Sequence, residues 1–385
     1  MGSDLLLVLV VGTALAFDFT NGFHDTANAM ATSIATGALK PRVAVTLGAV
    51  LNVVGAFLSL AVASTIAKGV VDPGVITLNI VFAGLLGAIA WNLVTWYFGL
   101  PSSSSHALIG GVVGATLVAK GTSAIKGAGI VEKVLIPAVL APLLAGCVAI
   151  LGTYLVYRLT RRENQQNTRQ GFRYGQVATA SMLSLAHGTN DAQKTMGVIT
   201  LALIAHGSIG ASASVPTWVI LSAALAIGSG TYIGGWRVIR TMGTRITDIE
   251  SPQGFAADAS SAAVILASSH YGFPLSTTHV TSGSIIGSGV GRKLAEVRWG
   301  VAGRLLVAWL ITLPAAAAVG GGTWWVAEQI GGTAGAFVMA AIAAAGAAGL
   351  YAATRKDRVT PDNVLGDRDP RETPLVHEVG DLVAA

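Results

Sequence analysis

"NGFHDTANAM", residues 21–30, interrupts an apolar run that begins at Leu5, and it places Asn21, His24, Asp25 and Asn28 within eight residues of what otherwise reads as a membrane helix. An ionised aspartate at membrane depth costs about 2.5–3.5 kcal/mol even on lenient insertion scales, so Asp25 must face a partner, water or a substrate. The stretch recurs. "NGFHDTAN" (21–28) aligns with "HGTNDAQK" (187–194) at an offset of 166, pairing Gly22 with Gly188, His24 with Asn190, Asp25 with Asp191 and Asn28 with Lys194. A second match follows in the same order. "GLPSSSSHALIGG" (99–111) aligns with "GFPLSTTHVTSGS" (272–284) at an offset of 173, pairing Pro101 with Pro274, Ser103, Ser104 and Ser105 with Ser276, Thr277 and Thr278, and His106 with His279. Two motifs recurring in order, with the offset drifting by seven residues, indicate an internal duplication. Duplicated membrane halves are characteristic of secondary transporters, whose substrate and coupling ions sit where the halves meet. The residues alone leave open whether the halves are inverted or parallel.

Composition sets the class. The chain has 385 residues, 52% hydrophobic and only 11% charged, and tracts such as 43–67, 77–98 and 134–157 carry no charge until their ends. Apolar segments of about 20 residues span a bilayer core, so this is an all-α polytopic membrane protein with about 10–12 membrane segments. The segments run roughly 4–38, 41–67, 77–98, 103–119, 133–158, 174–206, 215–234, 254–270, 280–291, 302–328 and 331–353. Residues 1–353 hold 19 Lys/Arg against 12 Asp/Glu, while 354–385 hold 5 against 7. The basic excess is scattered over loop ends, which fits juxtamembrane charge and argues against nucleic acid as a partner. Cys147 permits no intrachain disulfide and reads as a small buried hydrophobe. Leu5–Ala16 is long enough for a signal-peptide core, but only Asp4 is charged before it and the polar cluster follows at once, so it reads as a retained helix.

The order divides into a first membrane repeat (1–157), a basic cytoplasmic linker (158–173) with five arginines, a second repeat (174–353) and a polar tail (354–385) expected to be disordered. Segments 4–38 and 174–206 would each make a helix of roughly 50 Å against a core of about 30 Å, which predicts that they are broken or steeply tilted.

The Pro-Ser-Ser-Ser-Ser and Pro-Leu-Ser-Thr-Thr stretches read as tips of two re-entrant helical hairpins. An incoming helix halts before proline, and hydroxyl residues then cap the outgoing one. Such an N-terminus offers free backbone N–H groups, hydroxyls and the positive end of a helix dipole, all suited to an oxyanion. Two facing tips would enclose a tetrahedral anion. His106 and His279 follow the hydroxyl runs and could support the hairpins or relay protons, as could His24 and His187. Asp18 and Asp258 have no counterpart across the duplication and are weaker candidates.

With both motifs in hand, the chain resembles the inorganic phosphate transporter (Pit) family, which includes bacterial low-affinity phosphate carriers and the mammalian sodium-phosphate retroviral receptors. The resemblance rests on "GFHDTAN" with "GTNDAQK" and "PSSSSH" with "PLSTTH", and covers residues 10–350. It implies an inverted-repeat fold, a homodimer, and a multi-pass protein of a bacterial inner membrane that carries orthophosphate with a coupling cation. It implies no catalytic residues, resident metal site or cofactor. Carried over by position, Asp25, Asp191 and Asn28, with Asn21 and Asn190 beside them, form the ion and phosphate site. Ser103, Ser104, Ser105, Ser276, Thr277 and Thr278 form the phosphate cradle. Two residues depart from the family pattern: His24 and Lys194 stand where asparagine is usual. Lysine has no acceptor with which to ligate sodium, but its charge neutralises Asp191 or attracts phosphate. The expected coupling ion is therefore the proton, with Asp25 as the group protonated, and with sodium or a divalent metal accompanying phosphate as the alternative. Three competing readings are a sulfate permease of the same fold, a passive anion channel, and an intramembrane metallohydrolase built on the histidines and aspartates. The last lacks a His-Glu-x-x-His pair.

Overall fold

The computed structural model describes residues 2–69, 74–292 and 297–366, and those residues form helices and turns with no strand. In chain order the helices are α1 (Gly2–Ala35), α2 (Pro41–Gly55), α3 (Ala61–Gly69), α4 (Leu78–Phe98), α5 (Ser104–Lys120), α6 (Gly127–Ile130) and α7 (Ile136–Thr160). They continue as α8 (Gln165–His206), α9 (Thr217–Ile233), α10 (Trp236–Arg240), α11 (Ser251–His270), α12 (Thr277–Arg292), α13 (Trp299–Ile330) and α14 (Thr333–Thr354). A π-turn, Val131–Leu135, joins α6 to α7 into one rod, Gly127–Thr160.

Local sequence sets the ends of these helices. Pro41 starts α2, where its missing N–H costs nothing. Gly99, at φ +64°, closes α4 in the left-handed conformation that glycine adopts most cheaply. Ser103 Oγ then accepts from the His106 N–H (3.1 Å) to cap α5, and Ser276 Oγ accepts from the His279 N–H (3.2 Å) to cap α12.

The two halves pack reciprocally. α1 packs on α9 and α2 on α8; α5 packs on α13 and α12 on α7; α1 packs on α4 and α8 on α11. The motif glycines mark the crossings. A Cβ at Gly22 would run into the Ile227 carbonyl of α9, and one at Gly188 into the Asn52 carbonyl of α2. Small residues allow such backbone approach between membrane helices.

Among the described residues, five helices are long and apolar enough to cross a bilayer alone: Gly2–Ala35, Leu78–Phe98, Gly127–Thr160, Trp299–Ile330 and Thr333–Thr354. Thr217–Ile233 with Trp236–Arg245, bent by 61°, make a sixth candidate as a pair. The sequence suggested more spans because its apolar segments include α2, α5 and α12, which are only 15, 17 and 16 residues long, and α8 and α11, which carry polar groups. α7 and α13 expose leucine, isoleucine and valine along much of their length, and α14 turns out Phe337, Val338 and Ile342 among exposed alanines, as a lipid-facing rim would. Cys147 lies on that face and is exposed, contrary to expectation: in a bilayer an apolar run can face lipid rather than protein.

α1 and α8 are continuous helices of 34 and 42 residues, so of the two expected alternatives a break at the polar cluster is ruled out and a steep tilt is left. In α1, His24, Asp25 and the Asn28 amide nitrogen are met by side chains of α4, α5 and α12, while Asn21 has no hydrogen-bond partner among the described residues. The linker 158–173 is also mostly helical. Asn164 Oδ1 accepts from the Gln166 and Asn167 N–H groups, which starts α8 and leaves only 161–164 outside a helix. In the tail, residues up to Gly366 dock on α10: Arg237 Nη2 donates to the Asp357 carbonyl (2.7 Å), Arg240 Nη2 to the Asn363 carbonyl (2.5 Å), and Val364 is buried. The expected disorder of 367–385 lies outside the described residues.

Candidate functional site

The motif segments of α1 and α8 lie at the centre of the bundle, and Asp25 and Asp191 are buried beside each other. Oxygens of the two carboxylates and a ring nitrogen of His187 all lie within 4.8 Å of one another. The duplication thus brings its two aspartates to one place.

Each aspartate is held by its own helix, and both hairpin tips contribute hydroxyls. His24 Nδ1 lies 2.6 Å from Asp25 Oδ1, and its Nε2 lies 3.1 Å from Thr95 Oγ1 on α4. Ser104 Oγ donates to Asp25 Oδ2 (3.1 Å), and Thr278 Oγ1 reaches Oδ1 at 3.5 Å. On the other side Lys194 Nζ lies 2.5 Å from Asp191 Oδ1, Thr277 Oγ1 donates to Asp191 Oδ2 (3.1 Å), and His187 Nε2 is 3.1 Å from that oxygen. Asn28 Nδ2 donates to Thr277 Oγ1 (3.2 Å) and Thr278 Oγ1 (3.0 Å).

The tips of the two hairpins touch. Ser105 Oγ donates to the Leu275 carbonyl (3.1 Å), and Lys194 Nζ donates to the same carbonyl (2.9 Å) and to Ser105 Oγ (2.5 Å). The His106 and His279 rings meet edge to face at 4.8 Å, and His279 stacks on Trp309 at 4.2 Å. Two helix N-termini, α5 and α12, therefore point into one space with their first-turn N–H groups and hydroxyls, which is the arrangement of an oxyanion site. Ser104, Ser105, Thr277, Thr278, Asn28 and Lys194 supply side-chain donors, and two carboxylates supply acceptors. Such a mixture suits a tetrahedral oxyanion that also carries protons, because its P–O–H groups can donate to a carboxylate while its bare oxygens accept.

The remaining residues from the sequence reading fall around this centre. Ser103 and Ser276 accept the cap bonds of α5 and α12, and each hydroxyl keeps its own proton to donate, so all six hydroxyls of the two runs stand at the tips. Asn190 ties α8 to the second hairpin, its Nδ2 donating to Ser269 Oγ (2.9 Å) and the Phe273 carbonyl (3.3 Å). Asn21 is buried but makes no hydrogen bond to the aspartates. His106 and His279 lie behind the tips.

Sequence reasoning passed over Asn52 and Thr95. Asn52 bridges His187 and Thr231, with Oδ1 at 3.1 Å from His187 Nδ1 and Nδ2 donating to Thr231 Oγ1 (2.8 Å). Thr95 receives both His24 and the Ser102 hydroxyl (2.8 Å). A lone buried asparagine in the uncharged α2 run was the available signal.

Residues 21–320 match the model of the phosphate transporter family. The chain belongs to the phosphate transporter family. It is 59% identical over 363 residues to a "probable low-affinity inorganic phosphate transporter" of Mycobacterium tuberculosis, covering 94% of this chain and 87% of that one. A protein of the same description from Bacillus subtilis is 45% identical, covering 85% and 98%. Among solved structures the fold is similar to "the sodium-dependent phosphate transporter", with a TM-score of 0.76 at 23% identity over 85% of this chain and all of that one. The chain is thus a multi-pass plasma-membrane phosphate transporter of bacterial type and not an enzyme, which removes the metallohydrolase reading.

Proposed function

We propose that this transporter imports phosphate by proton symport through alternating access, with the anion bound between the two hairpin tips. The observation that carries the coupling reading is Lys194. Its ammonium lies 2.5 Å from both Asp191 Oδ1 and Ser105 Oγ, where a coupling cation would otherwise neutralise that carboxylate. A tethered cation leaves Asp25 as the central carboxylate whose charge must be cancelled by a mobile one. His24 and the hydroxyls of Ser104 and Thr278 can bond Asp25 in either protonation state, since an imidazole nitrogen or a hydroxyl serves as donor or acceptor. On arrival, phosphate takes over hydroxyls that now bond Asp25 and Asp191, and its own P–O–H donates to a carboxylate. Sulfate, with no proton near neutral pH, would meet two carboxylates with no donor to offer, which favours phosphate over the sulfate reading.

The reciprocal packing of the halves supports a two-fold repeat, and in the inverted form of it rocking of one half against the other exposes the site to each side in turn. Phosphate uptake into liposomes under imposed pH or sodium gradients tests the coupling. Accumulation that follows the pH gradient and ignores sodium is expected; accumulation driven by sodium alone would overturn it.

A second reading concerns the cargo. Asp25, His187 and Asp191 together offer two carboxylate oxygens and one imidazole nitrogen to a divalent cation, which would travel as a metal–phosphate complex. It predicts equimolar uptake of labelled manganese and phosphate, and phosphate uptake that fails in chelator.

A further inference from the structure

Upstream of the cradle, on the same helix, lies a second buried polar group that the phosphate site does not use. Asp18, Asn21 and Thr195 are fully buried. Both carboxylate oxygens of Asp18, both amide atoms of Asn21 and the Thr195 hydroxyl lack a hydrogen-bond partner among the described residues. Asn21, one turn further along α1, and Thr195, on α8, face the Asp18 carboxylate. An unsatisfied carboxylate with three further unsatisfied polar atoms beside it is costly unless a ligand completes them.

The surroundings define that ligand. The charged groups facing Asp18 are Asp191 and Lys194 of α8, and these already pair with each other. α4, α9 and α14, which pack with the same stretch of α1, contain no Asp, Glu, Lys, Arg or His. A charged ligand here is therefore cationic, since an anion would meet the Asp18 carboxylate with only the Asn21 amide and the Thr195 hydroxyl to offset it. Alkali-ion sites in transporters draw on backbone carbonyls released by unwound helix, and α1 and α8 are unbroken here. A proton needs no such carbonyls. It cancels the buried charge and gives Asp18 an O–H to donate beside the Asn21 amide and the Thr195 hydroxyl.

The position fits transit. Asp18, Asp25 and Thr32 follow at seven-residue spacing, so they share one face of α1 at intervals of about 10.5 Å. Thr32 Oγ1 lies 2.7 and 2.9 Å from the two oxygens of Asp258, another fully buried carboxylate. Carboxylates thus stand before, at and beyond the cradle along a single helix face.

We propose that Asp18, with Asn21 and Thr195, is a proton-binding site separate from the phosphate cradle, and that it and Asp258 flank the central aspartates as stations of the coupling proton. The transit role rests on the proton-symport reading; the proton on Asp18 does not. The test uses purified full-length transporter in liposomes, with labelled phosphate and two assays. In exchange, phosphate is present on both sides without a gradient; in accumulation, uptake is driven by an imposed pH gradient. Asp18→Asn keeps exchange within about twofold of wild type and loses accumulation by about tenfold or more, and Asp18→Glu recovers part of it. Undiminished accumulation in Asp18→Asn, or exchange lost in parallel with it, overturns the proposal. Infrared spectra give an independent reading, with a protonated-carboxyl band in wild type that is absent from Asp18→Asn. Should wild-type uptake ignore the pH gradient, the symport reading falls, and the spectra alone then decide: the band and its loss uphold the Asp18 site, and its absence from wild type overturns it.

Discussion

Lys194 and Asp191 pair at 2.5 Å one turn apart on α8, both inaccessible to solvent, so the second half of the site carries its own counter-ion. Removing one member of a buried pair strands the other. Lys194→Met is expected to cost about 3–5 kcal/mol of stability and to abolish uptake, and Lys194→Met with Asp191→Asn recovers most of the stability but not the transport. Thermal unfolding in detergent reads the first effect and labelled uptake the second. Lys194→Asn is the sharper variant, because asparagine supplies the acceptor that lysine lacks. It should gain sodium-stimulated uptake, and a variant that stays fully proton-driven and indifferent to sodium would refute the counter-ion role.

Hydroxyls of the two hairpin tips differ in what they hold. Ser104→Ala and Thr277→Val each remove a donor that can turn from a carboxylate to phosphate, worth about 1–2 kcal/mol, so KM for phosphate rises roughly 5–30-fold. Ser103→Ala removes the α5 cap instead and lowers stability by about 1 kcal/mol, with a smaller rise in KM than Ser104→Ala. Uptake kinetics and melting temperatures measured on the same preparations separate the two. Equal KM effects would place Ser103 in the cradle after all.

The duplicated motifs made the centre of this site legible in the sequence: Asp25, Asp191, Lys194 and the hydroxyl runs are where the repeat put them. Residues that act across helices were not legible. Asn52 matters because α2 crosses α8 at Gly188, bringing its amide to His187, and no spacing within α2 encodes that. Ser103 and Ser104 are adjacent in sequence, yet the turn after Gly99 makes one a cap and aims the other at Asp25. That α1 runs unbroken was not legible for a similar reason: His24, Asp25 and the Asn28 amide nitrogen are met by side chains from α4, α5 and α12, which no spacing within α1 encodes.

The reciprocal packing can be tested at its two crossings. A methyl group at Gly22 meets the Ile227 carbonyl, and one at Gly188 meets the Asn52 carbonyl, both backbone atoms that cannot swing aside. Gly22→Ala and Gly188→Ala should each destabilise by about 1–3 kcal/mol through forced separation of the helices. The Gly188 variant should also weaken transport, because it displaces Asn52 from His187. Gly12→Ala is the control, since nothing lies within 4 Å of a Cβ there. Melting temperatures that do not separate Gly22→Ala and Gly188→Ala from Gly12→Ala would mean the helices do not cross at the motif glycines.

Docking of the tail on α10 predicts a local rather than a global effect. Arg240 holds residues 363 and 364 by three hydrogen bonds, from Nε to the Val364 carbonyl and from Nη2 to the Asn363 carbonyl and Oδ1. Arg240→Ala removes all three and lets the buried Val364 leave its seat, while the bundle around the cradle keeps its contacts. Opening of such a peripheral segment is governed by its own small free energy, so losing about 1 kcal/mol of docking raises cleavage at Arg355, Lys356 and Arg358 roughly fivefold. Limited trypsin digestion followed by mass spectrometry measures it. Because the docked segment lies on α10 rather than on the hairpin tips, the melting temperature of the bundle should move far less than the cleavage rate. A parallel fall in both would mean that residues 357–366 are part of the packed core and not a strap laid over it.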